Sequence, residues 1–498
     1  MATMGVDIGG TGVKAAAFSE EGRLLALEYR EYAPITAAPG QFELDPREIL
    51  RAAKECIARA AQKAGEEVLA IGFSSMGECF VCLDKQDNIL ANCITYHDQR
   101  GKDLYEEFIR RFGEHEILGV LGGARPNYVQ SLHRLRLMVR ANPDAIRKTE
   151  RICLLADFIA YMLGGQHIAD YSLCYTTGCF DPAKKDWHRA YVEWAGLCPG
   201  MFPTPVPTGT CAGTVSQKAA AELGVKTSTK LVVGPNDQLA ASIGADAHRS
   251  GELFNIIGTA DVLRTFGDAA QAKRAYEKGM AYFMHDYDGI YNINPGPNYS
   301  GASVLKWFRD RFGRLENSAY KAEGKDFYTE YEKRLPKAPT RLLVMSHFSG
   351  TADDPAAKGA ILNLQLDTKN EEIYRAFMEG ASYTIRGRIE EIRAAGLPAD
   401  TVKTIGGGAK SAAFMQIRAD VFGVPVTTPR LPEAGVFGCA LLAGRAAGMY
   451  GDLKEVAGAL VQTGRVFEPN MKNYSYYNEQ YQKYLQAKEA LRMFAEQE

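Results

Sequence analysis

The segment Met4-Gly5-Val6-Asp7-Ile8-Gly9-Gly10-Thr11-Gly12-Val13-Lys14 carries the first architectural signal of this 498-residue chain. Met4 to Ile8 is a short apolar run that reads as a strand, closed by a glycine turn. Val13 to Phe18 and Leu24 to Tyr29 read as two further strands, with Glu21-Gly22 as the hairpin turn between them. The chain therefore opens strand, turn, strand, turn, strand, with no helix between. A glycine-rich turn lets backbone N–H groups approach an anion because no side chains intervene. Thr11 adds a hydroxyl donor and Lys14 a charge, and Asp7, at the end of a buried strand, can face a hydrated Mg²⁺. Gly10 to Ala15 also fits the loose GxGxxA dinucleotide pattern. That pattern needs a helix directly after its glycines; here a strand follows, so a dehydrogenase reading is rejected. An ordinary hairpin turn is the plain alternative.

Outward from this turn, strand-like and helix-like patterns alternate, which indicates α/β architecture. Asp45-Pro46 starts a helix, with Asp45 as N-cap and proline at the first helical position. Ile49, Ala53, Ile57, Ala60 and Ala64 make its apolar face, and Gly65 ends it. Val68 to Phe73 and Phe80 to Leu83 are strands, and Asp103 to Tyr161 is mostly helical. The alternation resumes with a strand at Lys230 to Val233, a helix at Leu239 to Gly244, and a strand at Leu253 to Ile257 that ends in Gly258-Thr259. A long helix spans Glu371 to Ala395, with Ile373, Phe377, Ala381, Ile385, Ile389 and Ile392 on one face and Gly396 closing it. Thr401 to Ile405 is a strand that runs into Gly406-Gly407-Gly408 and then a helix. A strand ending in a glycine-threonine turn thus occurs twice, at Asp7 to Thr11 and at Ile257 to Thr259. Two similar lobes, 1–247 and 248–498, would explain that echo.

The chain is 46% hydrophobic and 24% charged, the composition of a globular protein rather than a disordered one. Its length suggests more than one domain. Lys plus Arg number 58 and Asp plus Glu 60, so bulk charge gives no support for a nucleic-acid or anionic-membrane partner. There is no apolar run of membrane-spanning length and no basic, apolar leader at Met1-Ala2-Thr3-Met4, so neither a membrane span nor a signal peptide is expected. Ten scattered cysteines suit a reduced, cytoplasmic setting. Cys79 and Cys82 form a lone CxxC that reads as core strand rather than a zinc or redox site.

Three further constellations carry chemistry. Gly234-Pro235-Asn236-Asp237-Gln238 places an acid at the start of an apolar helix, where the helix N-terminus favours its ionised form; such an aspartate can accept a proton from an alcohol, or merely cap the helix. Gly406-Gly407-Gly408-Ala409-Lys410-Ser411, followed by Gln416-Ile417-Arg418-Ala419-Asp420 and Gly423-Val424-Pro425-Val426, leaves room for a flat ligand against the backbone. Three consecutive glycines are hard to justify by packing, since each costs conformational entropy. Met76-Gly77-Glu78 and Tyr96-His97-Asp98-Gln99-Arg100 put polar groups and an aromatic at loop ends, where they can bind a polyhydroxy ligand or simply face solvent.

Together these residues resemble the FGGY family of carbohydrate kinases, over nearly the whole chain and in the expected order. Asp7 to Lys14 is similar to the family's phosphate-binding turn, Gln41 to Pro46 to its Glu-x-Asp-Pro segment, and Tyr96 to Arg100 to its Trp-x-Asp-x-Arg. Gly234 to Gly244 resembles the segment that carries the catalytic base, Gly258-Thr259 the second phosphate turn, and Gly406 to Val426 the adenosine segment. The resemblance implies an actin-like (ribonuclease H-like) ATPase fold with two similar lobes and a central cleft, and an enzyme using ATP and Mg²⁺. It implies Asp237 as catalytic base, Asp7 and Asp237 at the metal, and Gly9, Gly10, Thr11, Lys14, Gly258, Thr259 and Gly406 to Ser411 at the nucleotide. Met76, Glu78, Tyr96, Asp98, Asp237 and Gln238 would line the sugar site. There are departures. Arg134-Leu135-Arg136-Leu137 stands where the family has Lys-hydrophobic-x-Trp, and Tyr96 stands for tryptophan. At Met76-Gly77-Glu78 xylulokinases carry Met-His and glycerol kinases Arg-Glu. A neutral pentulose such as xylulose is the expected substrate, with a glycerol- or erythritol-type polyol next. The rival from another class is a non-catalytic sugar-binding protein on the same fold; intact Asp7, Lys14 and Asp237 weigh against it. Tyr474, Tyr477, Tyr481 and Tyr484, at helical spacing, read as a stripe packing onto its own lobe. The family adds a homodimer as an expectation.

Overall fold

The computed structural model describes residues 1–498 apart from 123–125, 250, 286–288, 297, 349, 352–353, 355–356, 432 and 496–498, and apart from the side chains of 283–285 and 494–495. It contains two compact units. The first comprises Met1–Asp246, Tyr282–Tyr291 and Glu433–Val461, the second Ala247–Ala281, Asn292–Pro432 and Gln462–Glu498.

The first unit is built on a mixed six-stranded sheet in the order Cys211–Thr214, Lys230–Asn236, Val68–Ser75, Ala2–Ile8, Gly12–Ser19, Leu24–Glu31. The opening strands are where the sequence places them, and Ala2–Ile8 pairs antiparallel with Gly12–Ser19 and parallel with Val68–Ser75. One face carries the Pro46–Ala64 helix. Asp45 caps it by accepting from the Arg47 N–H, and Gly65, at φ 65°, closes it in the left-handed conformation that glycine tolerates best. Ile49, Ala53, Ile57 and Ala60 are buried, as their spacing predicts.

The Ala434–Ala447 helix packs on Ala2–Ile8 and Val68–Ser75 and beside Asp237–Gly244. Its approach is closer than side chains permit. A methyl group at Gly5 would overlap the Val436 carbonyl oxygen, one at Gly72 that of Cys439, one at Gly244 that of Ala434, and one at Gly438 that of Ala240. The halves expected from sequence, 1–247 and 248–498, assign Glu433–Val461 to the second; the packing groups it with the first, because these glycines let its helix seat on that sheet.

In the second unit the central strands run in the order Asp261–Gly267, Glu252–Ile257, Thr401–Ile405, Val426–Pro429, Thr463–Phe467. Glu252–Ile257 pairs antiparallel with Asp261–Gly267 and parallel with Thr401–Ile405. This repeats the arrangement around Ala2–Ile8, so the internal echo in the sequence is structural. The long helix is Asn370–Ala394, and all six of its expected core residues are buried. Met471–Ala495 lies against it: Tyr477, Tyr481 and Tyr484 are buried, and the Tyr477 hydroxyl both donates to Glu379 Oε1 (2.8 Å) and accepts from Arg375 Nη2 (3.0 Å). The tyrosine stripe is thus engaged within its own unit. Cys79 and Cys82 are buried beside and within the Phe80–Leu83 strand, as core residues. Among the described residues no helix is long and apolar enough to cross a membrane.

Gly5→Ala forces the Val436 backbone away from the sheet and is expected to cost about 1–3 kcal/mol or more. Gly119, whose Cβ would meet nothing within 4 Å among the described residues, supplies the control. Differential scanning calorimetry should show a lower first transition for Gly5→Ala and no loss for Gly119→Ala; equal melting of both would contradict this seating of the helix.

Candidate active site

The first glycine turn joins Ala2–Ile8 to Gly12–Ser19. It is closed by Gly9 N–H to the Gly12 carbonyl at 3.0 Å, and the Tyr32 hydroxyl donates to the Gly9 carbonyl. Thr11 is exposed, and a Cβ on Gly10 would meet Met76 Sδ at 3.6 Å. The register sets Asp7 opposite Lys14 on one side and Ser74 on the other, and the Ser74 hydroxyl donates to Asp7 Oδ1 at 2.9 Å. Burial pushes the Asp7 carboxyl up; Ser74 and Lys14 oppose the shift and Glu433 adds to it. Lys14 Nζ pairs with Glu433 Oε2 at 2.7 Å, with 39% and 26% of the two side chains exposed. Glu433 is the N-cap residue of the Ala434–Ala447 helix and escaped the sequence reading. Its signal would have been an acid directly before a run of small helical residues.

Glu78 is one of the few non-glycine residues in the left-handed region, at φ 60°. Such backbone costs about 1–3 kcal/mol and persists only where its surroundings impose it. Here they do. The Glu78 N–H donates to Thr176 Oγ1 at 3.0 Å, and Arg134 Nη1 donates to the Glu78 carbonyl at 3.2 Å. A Cβ on Gly77 would meet Thr176 Cγ2 at 2.7 Å, so the preceding residue must be small. Arg134 is fully buried, its Nε and Nη2 have no hydrogen-bond partner among the described residues, and burial lowers its pKa while Cys79, Glu78 and Asp98 oppose that shift. The segment that departs from the family's helix signature therefore supplies the clamp under Glu78.

Partial burial first, then Asp237, Cys79 and Glu78, push the Tyr96 phenol up to about 12, although the residue stays 37% exposed. Asp237 opens the Asp237–Gly244 helix behind its N-cap Asn236, and its Oδ1 accepts from the Gln238 N–H at 2.7 Å. Asn236 N–H donates to Ser172 Oγ at 2.9 Å, and that hydroxyl donates to the buried Asp170. Asp237, Gln238 and Glu78 are half-buried, while Met76 is buried beneath the turn. Asp98 is fully buried and accepts from the Phe42 N–H (2.9 Å), the Arg100 N–H (3.0 Å) and Arg100 Nη2 (2.6 Å). Burial opposes its charge, but these donors hold its carboxyl below the usual range.

In the second unit the Gly258-Thr259 turn leaves Thr259 exposed, and Gly258 N–H bonds the Ala260 carbonyl at 2.9 Å. Directly after it Asp261 forms a fully buried ion pair with Arg418, and Asn255 Nδ2 donates to Asp261 Oδ1 at 2.7 Å. Arg418 sits on the Ala412–Phe422 helix, so the pair ties the turn to the segment that follows the glycine triplet. That triplet is partly explained by packing, contrary to the sequence expectation. Gly406 has φ 94° and a Cβ there would lie 2.5 Å from the Ile257 carbonyl; one on Gly408 would overlap the Ile257 side chain. Only at Gly407 would a Cβ meet nothing within 4 Å among the described residues. Ala409 is buried, Lys410 is exposed, and Ser411 caps the helix by accepting from the Phe414 N–H at 3.0 Å. Gln416 Nε2 donates to Asp420 Oδ1 at 2.8 Å, so that part of the motif is a structural tie.

A glycine turn in each unit and an acid at a helix start are features that phosphotransfer enzymes use. Residues 2–244 match the N-terminal domain and residues 291–447 the C-terminal domain of the FGGY family of carbohydrate kinases. The chain belongs to that family and is a sugar kinase with an actin-like ATPase fold. It is 27% identical over 497 residues to an autoinducer-2 kinase of Enterobacter sp. (strain 638), covering 97% of this chain and 93% of that one. It is 27% identical over 472 residues to a gluconokinase of Bacillus subtilis (strain 168), covering 93% and 91%. The crystal structure of xylulose kinase from Rhodospirillum rubrum superposes with a TM-score of 0.86 at 23% identity, covering 100% of both chains.

Thr176→Val removes the acceptor that holds the Glu78 N–H. Loss of one hydrogen bond of about 1–1.5 kcal/mol should raise the KM for the phosphoryl acceptor about tenfold. The KM for the phosphoryl donor should not change, and steady-state kinetics in both substrates would show the split. An equal rise in both constants would show that Thr176 does not act through Glu78.

Proposed function

We propose that this kinase transfers the γ-phosphoryl group of ATP to a primary hydroxyl of a small neutral sugar, a pentulose of the xylulose type. The observation that carries this reading is the pair of half-buried carboxylates, Glu78 and Asp237, whose charges both raise the Tyr96 phenol. A carboxylate accepts from vicinal hydroxyls, whereas an aldonate carboxylate beside it would be repelled by about 1 kcal/mol or more, depending on burial. A polyol of the glycerol or erythritol type is the second reading, favoured by Gly77-Glu78, which matches the glutamate of the glycerol kinases.

Asp237 takes the hydroxyl proton as the oxygen attacks the γ-phosphorus in line. Gly9, Gly10, Thr11, Lys14, Gly258 and Thr259 hold the phosphates. Lys14 reaches them by leaving Glu433, at small cost because an exposed ion pair is worth only about 0–1 kcal/mol. Asp7 fits a divalent cation, since it offers half-buried carboxylate oxygens near the end of the strand that enters the glycine turn. Asp7 and Asp237 would hold Mg²⁺, which supplies charge neutralisation for the transferring phosphoryl group. Gly406 to Ser411 lie along the adenosine, with Gly407 as the open face. Met76, Glu78, Tyr96 and Gln238 contact the sugar. Asp98 is reassigned from sugar contact to anchor, because it is fully buried and bonded to Arg100 and Phe42 N–H. All ten cysteines are free and eight are buried, which supports a reducing, cytoplasmic setting.

Asp237→Asn keeps the shape and removes the proton acceptor, so kcat should fall about 10²–10⁴-fold with ATP and sugar still bound. Retention of more than about a tenth of kcat would sink the assignment. Gly407→Val should raise the KM for ATP and leave that for sugar unchanged; unaltered ATP affinity in a folded variant would move the nucleotide elsewhere. The substrate is tested by kcat/KM on D-xylulose, glycerol, erythritol, gluconate and autoinducer-2, for the wild type and Glu78→Gln. The variant should lose activity on the neutral sugar. A wild-type preference for gluconate, or no effect of Glu78→Gln on any of the five, would overturn the substrate class.

A further inference from the structure

Away from the site just described, Cys153, Asp157 and His167 bring a thiol, a carboxyl and an imidazole together in the first unit, with their donor atoms all within 4.8 Å of one another. Cys153 lies in the Arg151–Leu154 strand, paired opposite Val81; Asp157 is the third residue of the Leu155–Met162 helix that follows; His167 precedes the Ile168–Asp170 strand. Cys153 and Asp157 are 0% and 1% exposed and His167 is half-buried.

From these residues we infer a transition-metal site, suited to Zn²⁺, that locks the Leu155–Met162 helix to the strand and to the His167 segment. Asp157 carries the argument. Both of its carboxylate oxygens are buried without a hydrogen-bond partner among the described residues; burial pushes the carboxyl up, and the backbone N–H groups of Leu154 and Asp157 oppose that shift. No cation pairs with it among the described residues. An ionised carboxylate left so costs several kcal/mol unless an ion compensates it. His167 is prepared in the way metal-binding histidines are: Nε2 lies 3.1 Å from the Ile152 carbonyl. With Nε2–H donating there, Nδ1 presents its lone pair. A thiolate, an imidazole and a carboxylate form a donor set for zinc or a neighbouring divalent metal, not for Mg²⁺ or Ca²⁺. Zinc bonds of about 2.0–2.3 Å bring such donors to about 3.5 Å from one another, so the side chains close in by about an ångström. The site would be separate from the Mg²⁺ of phosphoryl transfer.

The experiment uses the untagged full-length protein in a Cys198→Ser, Cys211→Ser background, which removes the two exposed thiols. The chelator-treated protein is titrated with Co²⁺ and then with Zn²⁺ and read by absorption and by melting temperature. One equivalent of Co²⁺ should give a thiolate-to-cobalt charge-transfer band that zinc abolishes, and zinc should raise the melting temperature. Cys153→Ser should remove the band, and His167→Gln should weaken the metal at least about tenfold. Absence of the band in the parent protein overturns the site. So does a band that survives in Cys153→Ser. A rise in melting temperature of Asp157→Asn, with no metal bound by the parent, would show instead that Asp157 is a buried neutral acid.

Discussion

The first unit depends on one close approach of backbones. The Ala434–Ala447 helix lies so near Ala2–Ile8, Val68–Ser75 and Asp237–Gly244 that carbonyl oxygens occupy the space a Cβ would need at Gly5, Gly72, Gly244 and Gly438. The three partners are also the elements that present Asp7, the Met76 to Glu78 loop and Asp237. A helix of larger residues would stand off the sheet, and Glu433 at its N-terminus could not pair with Lys14. Interiors this tightly packed transmit small displacements rather than absorbing them. The surroundings of the first glycine turn thus include residues more than four hundred positions away.

Around Glu78, Tyr96 and Asp237 rigidity comes from polar clamps. Glu78 is held in the left-handed conformation by Thr176 on its N–H and Arg134 on its carbonyl. Asp98 and Arg100 pin the loop that carries Tyr96, and Asp170 and Ser172 hold the backbone in front of Asp237. In each case a buried charged or hydroxyl side chain fixes a backbone group. The strain at Glu78 persists because its surroundings over-determine it.

The second unit solves the same problem with an ion pair. Asp261 and Arg418 are both fully buried, so removing either partner would leave an uncompensated charge at a cost of about 3–5 kcal/mol. The pair joins the turn at Gly258-Thr259 to the helix after the glycine triplet. Two glycines of that triplet are themselves required by Ile257 of the strand leading into the turn. The two stretches that resemble nucleotide-binding segments therefore form one packed element.

By itself the sequence determined the local elements and the family. The caps at Asp45 and Gly65, the face from Ile373 to Ile392 and the repeated glycine-threonine turns are short-range patterns, governed by backbone dihedrals and side-chain period. They were legible for that reason. The glycine triplet was legible as a special segment but not in its cause, since the Ile257 contact joins positions far apart in the chain. Only the tertiary structure decided that Glu433–Val461 belongs with the first unit, that Arg134 braces Glu78, that Asp98 is an anchor, and that Glu433 neighbours Lys14. Each of these is a long-range contact between residues whose own neighbours look ordinary. Burial and charge pairing are properties of what the fold brings together, and no local pattern encodes them.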